Sequence, residues 1–146
     1  MNASKEDGFS LVELLCVVVI IGVIAAIAIP SLRKSIHAAE NGAVFGSMRT
    51  IGSTQVSFYT ANNRFGRIDE LNNQMNHAFG VDVGASQVEK NQFLYEMVPA
   101  APTDAELKDE YTITATRASG SDTTIYKYEV TQTGQVCQIE PTPICQ

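Results

Sequence analysis

The sequence predicts an α+β fold: one long N-terminal helix, apolar in its first half and amphipathic in its second, packed against a small antiparallel β-sheet of about three to four strands. Three observations predict it. Residues 14–32 carry no charged side chain. Beyond Pro30 the apolar residues recur at helical spacings, and in the last third of the chain they alternate with a period of two. The 146 residues suffice for one domain with an appendage. With 10 Lys and Arg against 16 Asp and Glu, the formal charge of −6 argues against strong nucleic-acid binding, which needs clustered cations.

The apolar run from Phe9 to Ile29 spans about 32 Å as a helix, close to the roughly 30 Å of a bilayer's hydrocarbon core. An ordinary signal peptide wants a basic leader, a shorter apolar run and a small-x-small cleavage site. Ala26-Ile27-Ala28 offers such a site, but Glu6 and Asp7 cancel Lys5, and Glu13 interrupts the run. A carboxylate at mid-membrane costs roughly 2.5–3.5 kcal/mol. Glu13 therefore either reaches the headgroups from near the start of the segment or meets a cation inside an assembly of such helices. Cys16, in the same run, reads as a small packed apolar side chain.

Gly8-Phe9-Ser10-Leu11-Val12-Glu13-Leu14-Leu15, followed by an apolar run containing Gly22 and Pro30, resembles the N-terminal signature of type IV pilins and pseudopilins. The resemblance is strong over about a quarter of the chain and holds only in pattern beyond it. It implies the type IV pilin fold and three segments. Residues 1–8 form a leader cleaved after Gly8, 9–30 a transmembrane and filament-core helix, and 31–146 a globular head that includes the amphipathic half of the helix.

The resemblance also implies partners. A prepilin peptidase would cut between Gly8 and Phe9 on the cytoplasmic side and methylate the new Phe9 amine. Glu13 would pair with the Phe9 amine of a neighbouring subunit during assembly, setting its axial register. An α-amino group is largely cationic at neutral pH, and opposite charges attract strongly in a low dielectric. Further implied partners are other copies of the chain in a helical homopolymer, membrane lipid before assembly, and an inner-membrane assembly platform driven by a separate cytoplasmic ATPase. The subunit would wait in the inner membrane with its N-terminus cytoplasmic and its body periplasmic, then join a pilus on the cell surface. Gly22 and Pro30 bracket a weak stretch of helix, because Pro30 lacks an N–H and crowds the carbonyl of Ala26, while Gly22 costs about 1 kcal/mol. A continuous, gently kinked helix is expected in the free subunit, and the resemblance implies unwinding in the filament.

Leu32, Ile36, Ala39 and Ala43, then Val44, Met48, Ile51 and Phe58, continue the helix to about Ala61. Gly42, Gly46 and Gly52 permit close packing against either a sheet or neighbouring helices. Residues 62–110 read as a long connection with a short helix over Asp69–Met75, a short element over Gln92–Met97 and a capping pair, Thr103 and Glu106. Strands follow at Tyr111–Thr116, Ile125–Thr131 and Val136–Ile139, with a polar loop at Ser119–Asp122. The five Tyr read as packing residues. Cys137 and Cys145 read as a disulfide in an oxidising compartment, closing a short tail loop of the kind pilins commonly carry.

No catalytic residue, cofactor site or metal site is expected. His37 and His77 lack ligand-spaced companions, and no nucleophile-elbow or phosphate-loop pattern occurs. Asp104, Glu106, Asp109 and Glu110 read as a solvated surface, with calcium binding the alternative. The leading reading is a non-enzymatic pilin serving adhesion, motility or DNA uptake. The alternative is a pseudopilin forming the periplasmic pseudopilus of a type II secretion system, and a third reading is a monomeric membrane-anchored binding module.

Overall fold

In the computed structural model, which describes residues 9–117 and 126–145, the apolar run and the amphipathic stretch form one helix, α1 (Leu11–Asn62). It continues through Pro30. Its end lies one residue beyond the expected Ala61, where Asn63 adopts φ 54° and donates its N–H to Tyr59 O at 2.8 Å. Asn tolerates this left-handed backbone well, which makes it a natural helix stop. The chain divides into two units, Met1–Ala39 and Glu40–Gln146.

In the first unit the apolar side chains have no cover. The most apolar window of α1 has none of its residues buried, and Leu11, Ile20 and Ile27 are all exposed. By length and composition this is the one helix among the described residues able to cross a membrane. Leu32 and Ile36, expected on an amphipathic face, are exposed as well. The core begins later, at Val44.

The second unit is organised around Val44, Met48, Ile51, Gln55 and Phe58, whose spacings of four and three place them on one helix face. Fully burying a Met or Ile side chain contributes about 1.5–3 kcal/mol, so Met48 and Ile51 anchor this face. At Gly52 a Cβ would lie 3.7 Å from Val130 Cγ2 and 3.8 Å from Tyr111 Oη, so this glycine lies close against the sheet. Gly42 and Gly46 have nothing within 4 Å of that position. Of the three glycines, Gly52 thus takes the sheet-packing role.

After α1 come α2 (Ile68–Gln74), β1 (Val81–Gly84), β2 (Gln87–Lys90), β3 (Phe93–Met97), a 3₁₀ turn (Glu106–Lys108), β4 (Thr112–Arg117), β5 (Lys127–Thr131), β6 (Val136–Glu140) and β7 (Ile144–Cys145). The strands pair antiparallel in chain order as one seven-stranded sheet. The fold is α+β as expected, but the sheet has more strands than the three to four expected from sequence. The extra ones are short: β1 and β2 have four residues each and β7 has two. The β2–β3 turn uses Asn91 and Gln92 at φ 52° and 67° without a glycine, so neither composition nor turn chemistry marks it. Ile125 and the loop at 119–122 lie outside the described residues.

Register aligns the core-facing residues. Met97 pairs with Ile113, Ala115 with Tyr128, and Val130 with Val136, all buried. Tyr95, Tyr111 and Tyr128 are core residues, and Tyr128 meets the ring edge of Phe45 at 4.9 Å between centroids. Burial pushes the Tyr111 hydroxyl up to about 12. Gln55, fully buried, accepts from Gly66 N–H at 2.7 Å and donates to Gly66 O at 2.8 Å, tying the α1–α2 loop to the helix.

Candidate functional site

The residues expected to drive assembly lie at the start of α1. Ser10 is the N-cap. Its Oγ accepts from Val12 N–H at 3.3 Å, and Glu13 Oε2 accepts from Ser10 N–H at 2.9 Å. Glu13, the third helical residue, makes the reach-back half of a capping box, while the Ser10 hydroxyl caps the second helical N–H. By composition alone Glu13 reads as a charge in an apolar run. Ser10-x-x-Glu13 ahead of that run was the signal for its second role. A carboxylate at a helix N-terminus also complements the helix dipole.

Phe9 precedes the cap and is 86% exposed. Gly8, the expected cleavage position, lies outside the described residues. Gly22 and Pro30 both sit within continuous helix, with nothing within 4 Å of a Cβ at Gly22. Cys16 is an exposed free cysteine, not a packed one, in the isolated chain.

Cys137 and Cys145 form a disulfide and are direct partners in the β6–β7 register. The bond fastens the last strand to the sheet.

Two of the four carboxylates in the acidic stretch are engaged with nearby residues. Asp104 accepts from Arg67 Nη2 at 2.6 Å and lies 3.7 Å from Arg64 Nε. Glu106 accepts from both the N–H and the hydroxyl of Thr103 at 2.7 Å, which holds its carboxyl below the usual range. The capping pair read from the sequence is therefore present. Arg64 also grips Glu70 with two hydrogen bonds of 2.6 and 2.8 Å, and Arg67 N–H adds a third at 2.8 Å. These bonds, led by Arg64, depress the Glu70 carboxyl. The network joins the start of α2 to the loop before β4. His77 Nδ1 lies 3.3 Å from Asp82 Oδ2. Among the described residues no group of three His, Cys, Asp or Glu side chains is placed to hold a metal.

Comparison with known proteins bears on the same N-terminal segment. Residues 3–29 match the family model described as the prokaryotic N-terminal methylation motif. Over 105 residues the chain is 29% identical to a type IV major pilin protein, PilA, of Myxococcus xanthus strain DK1622. That alignment covers 72% of this chain but only 42% of the relative's length. No solved structure matches.

Proposed function

The methylation motif and the pilin relative support a place for this chain in the type IV pilin family, as a pilin or pseudopilin subunit, and on that premise we propose that it is a processed structural subunit of a type IV pilus. One observation carries the reading: the apolar window of α1 has no buried residue, yet a carboxylate stands at its start. An uncovered apolar rod needs lipid first and other rods afterwards. In this scheme residues 1–8 are a leader removed after Gly8 by a prepilin peptidase, which also methylates Phe9. Residues 9–30 form the membrane and filament-core segment, and 31–146 the head. The subunit moves from the inner membrane, N-terminus cytoplasmic, to a surface filament. An assembly platform and a separate cytoplasmic ATPase drive the transfer.

Cleavage creates the Phe9 ammonium, and Glu13 of a neighbouring subunit supplies its counter-charge. The capping bond occupies Oε2, and a carboxylate retains acceptor capacity for a second donor. An unpaired buried charge is strongly penalised, so the pair sets axial register. Gly22 and Pro30 mark the stretch that unwinds on packing. The chemistry is that of a scaffold and asks for no catalytic step. The Cys137–Cys145 clasp favours a surface fibre over the pseudopilus alternative, since a durable exterior gains most from a fastened terminus. Electron microscopy of sheared fibres with mass spectrometry of their N-terminus tests this. Fibres of this chain beginning at methylated Phe9 are expected. Native material that begins at Met1 and stays monomeric in lipid overturns it, and lost protein secretion with intact fibres after gene deletion selects the pseudopilus.

A further inference from the structure

On the sheet face turned away from α1, one cross-strand row runs Gln87, Glu96, Thr114, Glu129. The neighbours of these residues along each strand, Val88, Tyr95, Met97, Ile113, Ala115, Tyr128 and Val130, point into the core, so the row points outward. Thr114 is the short side chain of the row. It is only 2% exposed, yet its Oγ1 is a buried atom with no hydrogen-bond partner. Buried hydroxyls are nearly always satisfied, so an orphan between two carboxylates calls for an occupant.

We propose that Glu96, Thr114 and Glu129 form a divalent-cation site, suited to a hard, oxygen-seeking ion such as Ca²⁺. Two glutamates flanking Thr114 are separated by two strand spacings, about 10 Å between Cβ atoms. When both lean over Thr114 their oxygens approach to about 5 Å, twice a Ca–O bond of 2.3–2.6 Å. The hydroxyl forms the floor, and water completes the shell from the solvent side. Two carboxylates match the charge of the ion. Among the described residues Glu129 forms no ion pair, and Glu96 accepts only from the neutral Gln87 amide at 3.3 Å. The donors are all oxygen; Cys137, opposite Glu129, is locked in its disulfide and offers no thiolate to a softer metal. Lys127, two residues from Glu129 on the same face, is the opposing charge nearby, and it limits the affinity to the weak range of extracellular calcium modules, about 10⁻⁴–10⁻³ M.

The test uses the full chain in detergent, so it does not depend on filament assembly. Isothermal titration with CaCl₂ reads the affinity, and thermal melts with 10 mM CaCl₂, against NaCl of equal ionic strength, read the linked stabilisation. The wild type is expected to melt about 4 °C higher with calcium. Glu129→Gln should weaken binding at least about ten-fold and remove the shift. Thr114→Val, which keeps shape but deletes the hydroxyl, should melt no lower than wild type without calcium and gain less from it. Lys127→Ala should tighten binding by about five-fold, because it removes a Coulomb repulsion between the ammonium and the divalent ion at roughly 8 Å in water. No shift in the wild type beyond the NaCl control overturns the site, as does a shift that survives either Glu129→Gln or Thr114→Val at full size.

Discussion

Arg117, on β4, donates a charge-assisted hydrogen bond to Glu40 of α1, 77 positions earlier in the chain. The Arg117 side chain is 4% exposed, and its guanidinium stacks over Phe93 at 5.4 Å and Tyr126 at 5.5 Å. Glu40 opens the second unit, so the pair pins the first turn of its helix to the sheet. Removing one partner of a buried ion pair leaves the other charge uncompensated. Arg117→Met should therefore lower stability by about 3 kcal/mol in chemical denaturation. The double variant Glu40→Met, Arg117→Met should recover most of that loss, because both charges are then absent. A double variant as unstable as the single one counts against the pairing.

Glu13→Ala removes both the cap on Ser10 and the proposed counter-charge for Phe9. Membrane insertion should persist, because the apolar run is untouched, while surface-fibre yield should fall at least about ten-fold for a lost charge pair of roughly 1.4 kcal/mol or more. Normal fibre yield refutes the charge-pairing scheme. Circular dichroism of the variant separates the small capping loss, about 1 kcal/mol, from the assembly defect.

Gly80 has φ 134°, and a Cβ there would sit 2.3 Å from Glu89 O. Gly80→Ala should destabilise the head by about 2–3 kcal/mol, because the collision is with backbone and cannot be relieved by a rotamer change. Gly46→Ala meets nothing within 4 Å and should stabilise the monomer by about 0.5–1 kcal/mol. Denaturant melts of the pair check the contrast; equal effects of the two substitutions would contradict it.

Cys137→Ser should cost about 2–3 kcal/mol, the loop-closure value for a nine-residue loop. β7 has two residues, both exposed, so the effect concentrates at the end of the chain. Limited proteolysis should nick the tail of the variant first. Equal resistance to protease, heat and detergent would leave the disulfide without a stabilising role.

Acid sensitivity follows from Glu70. Its folded carboxyl lies below the ordinary 4.5 because of Arg64 first, then the Arg67 N–H and both guanidinium charges. A depressed acid contributes its stability fully above the unfolded value and loses it as pH falls through the folded one. The melting temperature should thus decline below about pH 4.5, the unfolded reference. Arg64→Gln should flatten the decline over that window. An identical pH profile in the variant would assign the acid transition elsewhere.

Helix α1, its stop at Asn62-Asn63, the short helix α2 and the strands β4 to β6 were legible in the sequence, because each rests on local causes. The period of apolar residues, a left-handed Asn and β-branched alternation act over a few residues and do not need the rest of the fold. The capping role of Glu13 is equally local, carried by the Ser10-x-x-Glu13 spacing. Strand β3 fills the short element expected over Gln92–Met97, whose type the sequence left open, while β1, β2 and β7 were a different matter. Four residues such as Val81-Asp82-Val83-Gly84 alternate too briefly to mark a strand by themselves, and they become one because β2 offers them a ladder.

The sequence alone determined the apolar rod and its carboxylate, since hydrophobic transfer and charge desolvation are properties of the residues themselves. Only the tertiary structure decided which glycine faces the sheet, which carboxylates are engaged by arginines, and that Thr114 lies buried between two glutamates. Those relationships join residues far apart in the chain, and the register that brings them together is set by the packing of the whole core.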